Sequence, residues 1–369
     1  MAETAARKTI RALYRGLVGG AALAALPARA RHGRLAVYYG GARAGDHGGT
    51  LVKVRLLQTR YPESRVGFSL VYMLSNAIYL PQPVIDTLRR AGIPVVLNQN
   101  GVFYPGWYPF DWRAENARMA RVHAAADHVL YQSEFCRRCA EKFLGTRVGR
   151  SEILYNAVDT GHFSPRLENA PSRPSDAPFT FLATGKFDLA IGYRLMSSIE
   201  GISAARRGGL DVRLKVAGGI DPVVRAKAQR RIDELRLAQA VEFFGPYNSK
   251  QAPAIYQSAD AYLMTKNNDP CPNAVLEALS SGLPVLYSAS GGVPELVGTE
   301  AGVGLAVPES FEEDIAPEPA AIAEGMSKII RQQSEFGAAA RRRAVERFDL
   351  PQWLARHDTV FEQALRNAA

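Results

Sequence analysis

Residues 267–285 read NNDPCPNAVLEALSSGLPV, a pattern that predicts the start of a helix followed by a buried strand. Two prolines stand at the helix entrance, where their missing amide hydrogen costs little. Asp269 precedes the helix and Glu277 lies inside it. A helix N-terminus attracts phosphate, whereas a carboxylate accepts two hydrogen bonds from a vicinal diol. The stretch therefore predicts a ligand that contains both a phosphate and a sugar.

Short apolar runs alternate with helical patterns on both sides of this stretch, which predicts an α/β protein. Two such series, separated by the proline- and serine-rich residues 165–178, indicate two Rossmann-like, doubly wound domains whose parallel sheets are covered by helices. Ligands of such sheets bind beyond the carboxyl ends of the strands, so we expect a central cleft between the domains. The predicted segments are a basic leader at 1–33, an N-terminal Rossmann-like domain at 34–165, a linker at 166–178, a C-terminal Rossmann-like domain at 179–345, and a C-terminal helix at 346–369 that returns to the first domain.

The composition of the chain is that of an ordinary globular protein, with 369 residues, 47% hydrophobic and 22% charged. A net charge of +9 favours an anionic partner. Basic residues are not interleaved with aromatic ones, so a nucleic acid is not expected. Only Cys136 and Cys139 form a CxxC pair, without the second pair that a zinc site needs. We therefore expect a phosphorylated ligand or a membrane surface as the partner, and no metal site.

Residues 1–33 imitate a secretory signal, with a basic start, an apolar stretch at 17–26 and Ala28-Arg29-Ala30 as a cleavage-like site. Gly19 and Gly20 interrupt the apolar stretch, and no run reaches the ~18 residues of a membrane span. The favoured interpretation is a basic helix that lies on anionic lipid; the alternative is a solvent-facing leader without a role. The expected location is the cytoplasm, either free or peripheral on the inner face of the membrane.

The sequence resembles the GT-B glycosyltransferases of family 4, or glycosyl transferases group 1. Their signature is an acidic residue, seven residues, a glutamate and then Ala-x-x-x-Gly-x-Pro, which matches Asp269, Glu277 and the phrases ALSSGLPV and SGGVPELV. Three further phrases resemble the family in the expected order: ADHVLYQSEF (126–135), ILYNAVDTGHFSP (153–165) and GKF (185–187). The resemblance covers residues 34–366. It implies retaining, metal-independent transfer of a sugar from a nucleoside diphosphate sugar to a glycan or lipid-linked acceptor, with no cofactor beyond this co-substrate.

The resemblance also implies a role for individual residues. Glu277 would hold the ribose hydroxyls of the donor, and Asp269 would face the donor sugar where the family normally has glutamate. Lys186 would contact the diphosphate, and the aromatic segment around Trp107 would form an acceptor platform. The complete expectation is Asp269, Lys186 and His47 for catalysis; Glu277, Gly48, Gly49, Arg194, Gly218, Gly219, Asn273 and Ala274 for donor binding; and Asn98, Asn100 and Trp107 for acceptor binding.

The chain departs from the family pattern at several positions. Ile191 stands where the family has a lysine, and Arg194 would reach the same phosphate from the next helical turn. Pro272 replaces a glycine and removes one backbone donor. Two alternatives therefore remain open: a sugar-nucleotide epimerase or hydrolase of the same fold, and a non-catalytic sugar-binding homologue, which the changes at 191 and 272 favour.

Overall fold

The computed structural model describes residues 5–28, 35–46, 48–108, 110–166 and 177–368, with side chains from Thr9 onward. The chain divides into two compact units, the first formed by Met1–Tyr155 with Pro351–Ala369 and the second by Asn156–Leu350. Most of the expected linker, residues 167–176, lies outside the described residues. The residues just before it, from Asn156, belong to the second unit, and Pro351–Ala369 belongs to the first.

The first unit contains a five-stranded parallel sheet in the order β1-β2-β3-β4-β5. Its strands are β1 (Val37–Tyr38), β2 (Leu70–Leu74), β3 (Val95–Gln99), β4 (His128–Tyr131) and β5 (Arg150–Ile153). Its helices are α1 (Ala5–Ala24), α2 (Gly49–Gln58), α3 (Gln82–Arg90), α4 (Trp112–Ala125), α5 (Glu134–Leu144) and α13 (Leu350–Ala368). Strands β2 to β4 are buried along their whole length, as expected for a parallel sheet covered by helices on both faces.

The returning helix α13 is bound to the first unit by an aromatic cluster and by ion pairs. His357 and Phe361 are fully buried and pack against the ring of Tyr72 on β2. Arg60 contacts the Asp358 carboxylate at 2.6 Å. Because this helix is about 200 residues distant in sequence from β5, its attachment is a long-range tertiary contact.

The predicted leader is part of the first unit. Helix α1 buries Val18 and Ala22, Ala25 just after it is also buried, and the Tyr14 hydroxyl donates a hydrogen bond to the Gly41 carbonyl oxygen at 2.8 Å. Gly19 lies close to Pro81 and Val84 of the α3 region, where a larger residue would collide. Among the described residues, no helix combines the length and apolarity that a membrane crossing needs.

The second unit contains a six-stranded parallel sheet in the order β11-β10-β9-β6-β7-β8. Its strands are β6 (Phe179–Thr184), β7 (Val212–Ala217), β8 (Val241–Gly245), β9 (Ala261–Met264), β10 (Val285–Ser288) and β11 (Gly302–Leu305). Its helices are α6 (Tyr193–Arg207), α7 (Pro222–Glu234), α8 (Ala252–Gln257), α9 (Asn273–Ser280), α10 (Val293–Val297), α11 (Pro319–Arg331) and α12 (Gln333–Arg347). The strand order is that of a Rossmann fold, with its reversal between β6 and β9.

The two sheets differ in winding. The described strands of the first unit lie in chain order, whereas the order in the second unit reverses where Phe181 pairs with Ala261 and Leu182 with Tyr262. A reversal creates a crevice at the carboxyl ends of the two central strands, because their connections leave in opposite directions. The second unit therefore has a preformed ligand crevice at the ends of β6 and β9.

Candidate functional site

Arg194 marks the crevice at the reversal point. It lies in the first turn of α6 and is only 4% exposed. Its guanidinium lies 5.3 Å from the centre of the Phe187 ring, and one Nη donates to the Met264 sulfur at 3.4 Å. Among the described residues, the Nε has no hydrogen-bond partner and no carboxylate forms an ion pair with this arginine. A buried charge without a counter-charge is costly, so this position fits an anionic ligand.

The loop after β9 adds further buried polar groups to the same crevice. Asn267 is 2% exposed, and neither side-chain atom has a hydrogen-bond partner among the described residues. The neighbouring Asn268 adopts a left-handed φ of 50° and leaves its Oδ1 without a partner. Buried amides are nearly always hydrogen-bonded in folded proteins. The Asn268 Nδ2 donates to the Ser310 carbonyl oxygen at 2.6 Å, so Asn267 is the full exception. Its loop follows Met264, the sulfur contact of Arg194, and is a candidate ligand-binding segment.

Asp269 lies in this loop with its carboxylate already bonded. Its Oδ2 accepts a hydrogen bond from the Lys266 ammonium at 2.8 Å, and its Oδ1 accepts one from the Cys271 amide at 3.3 Å. Gly291 packs directly on the Asp269 backbone, where a Cβ atom would lie 2.5 Å from the carbonyl oxygen. Since Gly291 also has φ of 68°, no other residue fits this approach. The hydrogen bonds to its carboxylate and the packing of Gly291 against its backbone therefore fix the position of Asp269.

Glu277 is fixed by a network of buried hydroxyl groups. The Tyr256 hydroxyl donates to the Glu277 Oε2 at 2.7 Å, and the Thr184 hydroxyl lies 3.1 Å from that of Tyr256 and 2.9 Å from that of Tyr262. Thr184 is the last residue of β6. The network therefore links the glutamate of α9 to the end of the central strand.

Burial sets the protonation state of this network. Complete burial raises the pKa of Tyr256 well above its ordinary value, and the negative charge of Glu277 raises it further. Burial likewise raises the pKa of Tyr262. Both phenols are therefore neutral donors at physiological pH, and Tyr256 can orient the Glu277 carboxylate without competing for its charge.

The glycines at the ends of β6 and β7 serve a close approach of the backbone. A Cβ atom on Gly218 would lie 1.8 Å from the Gly185 carbonyl oxygen, and Gly218 has φ of 127°. The Gly218 amide already donates to Gly245, whereas Gly219 has open space around it. Lys186 follows Gly185 with its side chain 82% exposed and 3.9 Å from the Asp188 carboxylate. Gly185 and Gly218 bring the ends of β6 and β7 together, and the Lys186 side chain projects into solvent.

The start of α9 has Pro272 as its N-cap, followed by Asn273 and Ala274 as the first two helical residues. The Asn273 Oδ1 accepts a hydrogen bond from Asn156 at 2.8 Å. Glu277 lies in the second turn, in agreement with the expected spacing. The structure thus brings Asn273, Ala274 and Glu277 onto one short helix.

The first unit contains the other expected residues. Gly48 is the N-cap of α2 and Gly49 its first residue, both exposed, whereas His47 lies outside the described residues. Asn98 is 1% exposed and accepts hydrogen bonds from the buried Lys53 ammonium at 2.6 Å and from the Gln132 amide. Asn98 is part of an internal network, and its expected role in acceptor binding stays a prediction.

Asn100 and Trp107 remain at the surface of this sheet edge. The Asn100 amide donates to the Asn76 Oδ1 at 2.6 Å. Trp107 is 40% exposed, stacks on Phe103 at 5.2 Å between ring centres, and donates to the Val102 carbonyl oxygen. The aromatic segment is therefore a stacked cluster with one indole edge open to solvent.

Several residues of these sites were not identified from the sequence. Lys266, Asn267 and Asn268 adjoin the expected Asp269, and Tyr256 contacts the expected Glu277, but nothing in their spacing distinguishes them from ordinary polar and aromatic residues. The asparagine pair directly after the β9 strand was the available signal, because strand ends in such sheets line ligand sites. Among the described residues, no three His, Cys, Asp or Glu side chains come together as a metal-binding group.

Comparison with known proteins agrees with this architecture. Residues 197–345 match the family model for glycosyl transferases group 1. A GDP-mannose-dependent alpha-mannosyltransferase of Mycobacterium tuberculosis (strain CDC 1551 / Oshkosh) is 25% identical over 307 residues, which cover 80% of this chain and 75% of that protein.

Two solved structures show the same fold. Sucrose-phosphate synthase from Thermosynechococcus elongatus superposes with a TM-score of 0.67 at 20% identity, covering 86% of this chain and 77% of that one. Anabaena Alr3699/HepE in complex with UDP superposes with a TM-score of 0.62 at 16% identity, covering 84% and 81%. Two Rossmann-like domains of this kind define the GT-B class. The chain has this GT-B fold, and its residues 197–345 match the family of glycosyl transferases group 1.

Proposed function

We propose that the protein transfers a sugar from a nucleoside diphosphate sugar to a glycan or lipid-linked acceptor, with retention of configuration and without a metal ion, as in family 4. The observation that supports the donor class best is Arg194, a buried guanidinium at the reversal point whose neighbours supply no carboxylate. A diphosphate is the counter-charge that this position fits, since guanidinium groups bind phosphate oxygens in a planar, bidentate manner.

The donor would be held at both ends. Glu277, oriented by Tyr256, accepts hydrogen bonds from the two ribose hydroxyls. Arg194 binds the diphosphate, while the exposed Lys186 reaches the same phosphates from solvent. The amides of Asn273 and Ala274 at the start of α9 add donors for the phosphate oxygens.

The chemical step would break the bond between the anomeric carbon and the phosphate oxygen, whose electron pair stays on the departing nucleoside diphosphate. The acceptor hydroxyl oxygen forms the new bond to the anomeric carbon and passes its proton to the departing diphosphate oxygen. Arg194 and Lys186 stabilise the negative charge that develops on the diphosphate, which is the largest electrostatic demand of the reaction. Asp269, which forms an ion pair with Lys266, would face the donor sugar, as the resemblance to the family implies.

The nucleotide base and the sugar of the donor can be chosen by experiment. One relative is named GDP-mannose-dependent, and one structural neighbour was solved with UDP. A thermal-shift series with UDP, GDP, ADP and dTDP identifies the base, and Glu277→Ala should abolish the stabilisation by the selected diphosphate. If none of the four stabilises the wild-type protein, the donor site is misassigned and the non-catalytic alternative gains.

We also propose a peripheral position on an anionic membrane. Helix α1 packs one face on the first unit and exposes Ile10, Leu13 and Leu17, at 66%, 64% and 73%. These residues follow the i, i+3, i+7 spacing of one helical face. Residues 1–33 contain six lysines and arginines against one glutamate, so the exposed apolar stripe belongs to a basic segment, as in helices that lie in the headgroup region.

A further inference from the structure

A cavity of about 160 Å³ lies in the first unit beside the carboxyl ends of β2 and β3. Its wall is formed by the residues that follow β2, including Ser75 and Asn76, and by Phe103 and Tyr108 from the segment after β3. The volume is several times the ~30 Å³ share of one water molecule in the liquid. The edge of the sheet at which it opens is the one that binds ligands in α/β proteins.

The charged wall of this cavity comes from two helices. Arg11 and Arg15 of α1 and Arg118 of α4 line it, and Glu115 is the one carboxylate among the described lining residues. Glu115 forms an ion pair with Arg118. The two arginines of α1 are four residues apart and thus point to the same side of the helix. The cavity therefore has an excess of positive charge, most of it supplied by α1.

The remaining wall is aromatic. Phe103 and Tyr108 contact each other at 4.8 Å between ring centres, and Phe103 stacks on the exposed Trp107. Tyr79, which also lines the cavity, packs edge-on against Tyr14 of α1 at 5.0 Å. Aromatic faces suit the apolar side of a sugar ring or a hydrocarbon chain, whereas arginine pairs suit a phosphate. One ligand with both parts would match the wall.

We infer that this cavity binds a phosphate or diphosphate group of the acceptor through Arg11 and Arg15, and that the N-terminal helix is consequently part of the acceptor site. The inference rests on the proposed transferase function and narrows its acceptor to a phosphorylated one. The group could belong to a water-soluble sugar phosphate or to a lipid headgroup, and both share the same recognition chemistry. The folding of α1 onto the first unit places the two arginines at the cavity before any ligand arrives.

The test measures anion binding without requiring activity. Inorganic pyrophosphate is titrated calorimetrically into the protein while the donor site is saturated with its nucleoside diphosphate. We expect the R11Q/R15Q variant to bind pyrophosphate at least about tenfold more weakly than the wild type, because charge-assisted phosphate contacts are lost. The matched control is R137Q/R138Q, which removes the same charge from the exposed face of α5 and should bind as the wild type does.

Competition then identifies the source of the phosphate. Displacement of pyrophosphate by glucose 1-phosphate indicates a soluble acceptor, and displacement by vesicles of phosphatidylcholine with phosphatidic acid, but not of phosphatidylcholine alone, indicates a lipid. Equal pyrophosphate affinity in R11Q/R15Q and wild type would overturn the inference, as would no binding by the wild type. Thermal stabilisation by the nucleoside diphosphate is measured on R11Q/R15Q and on the wild type. If the variant keeps this stabilisation, the cavity is separate from the donor site. If the wild type shows no stabilisation, the result counts against the proposed function alone.

Discussion

The Tyr256 hydroxyl donates a hydrogen bond of 2.7 Å to the Glu277 carboxylate from a fully buried position. Tyr256 belongs to α8 and Glu277 to α9, so a residue of the preceding helix holds the glutamate in place. A carboxylate held in this way presents its remaining lone pairs in one direction. In the proposed donor site, this contact would orient Glu277 for the ribose hydroxyls.

Tyr256→Phe should weaken nucleoside diphosphate binding while leaving the fold intact. A hydrogen bond to a charged group contributes about 1.5–3 kcal/mol, and we expect roughly a tenfold increase in Kd as Glu277 loses its orientation. Calorimetry on the purified variant measures the change. Tyr262→Phe is the matched control, since it removes a hydroxyl of the same network that contacts Thr184 rather than Glu277. Equal losses in the two variants would show that the network acts only through general packing.

Arg194→Met should have opposite effects on stability and on ligand binding. Removing a buried guanidinium that lacks a counter-charge should leave the melting temperature of the free protein unchanged or raise it. The affinity for the nucleoside diphosphate should fall by at least about tenfold, because the phosphate contact is lost. Arg207→Gln removes an exposed arginine from the same helix and should change neither value. A strongly destabilised Arg194→Met would instead indicate a structural arginine.

Gly218→Ala should destabilise the second unit, and Gly219→Ala should not. The added methyl at 218 meets the Gly185 carbonyl oxygen and must adopt a φ of 127°, a strain on the order of 1–3 kcal/mol before any backbone shift. The same methyl at 219 meets nothing within 4 Å. Urea denaturation of the two variants measures the difference. Equal urea midpoints for the two variants would mean that the ends of β6 and β7 can move apart without a loss of stability.

The stability of the first unit should fall as the pH drops from 6.5 towards 4. Burial lowers the pKa of His357 to about 4 from an ordinary 6.5. Between these two pH values, His357 is protonated in the unfolded chain and neutral in the folded chain. The free energy of unfolding therefore decreases by up to about 1.4 kcal/mol per pH unit for this residue. His357→Gln removes its contribution and should give a shallower slope in denaturant titrations at each pH. His123, whose pKa burial also lowers to about 4, should maintain part of the slope in the variant; an unchanged slope would exclude His357 as a source.

Replacing the outer stripe of α1 should release the protein from anionic vesicles. We expect the triple variant Ile10→Ser, Leu13→Ser and Leu17→Ser to sediment less with vesicles that contain phosphatidic acid, because its buried apolar area in the headgroup region is lost. The packed face of α1, with Val18 and Ala22, stays intact, so the melting temperature should be preserved. Undiminished sedimentation would refute the membrane proposal.

Much of the architecture follows from local sequence. The alternation of apolar strands and helical segments predicts two parallel sheets, since each strand is short and continuous and each connection is long enough for a helix. The placement of Glu277 in the second turn of α9 also follows, because the prolines before Asn273 define the helix start. The burial of Asn98 against Lys53 did not follow from the sequence, because alternation along a strand does not reveal which polar residue has a buried partner.

What the sequence determined by itself is the set of strands and helices and the Asp269 to Glu277 spacing, both products of interactions within a few residues. Tertiary structure decided which strands became neighbours, and with that the position of Arg194 beside Met264, which is 70 residues later in the chain. It also decided that α1 contributes Arg11 and Arg15 to the cavity of the first unit. Contacts of this kind depend on how apolar faces are buried between distant segments, and that burial is a property of the whole fold.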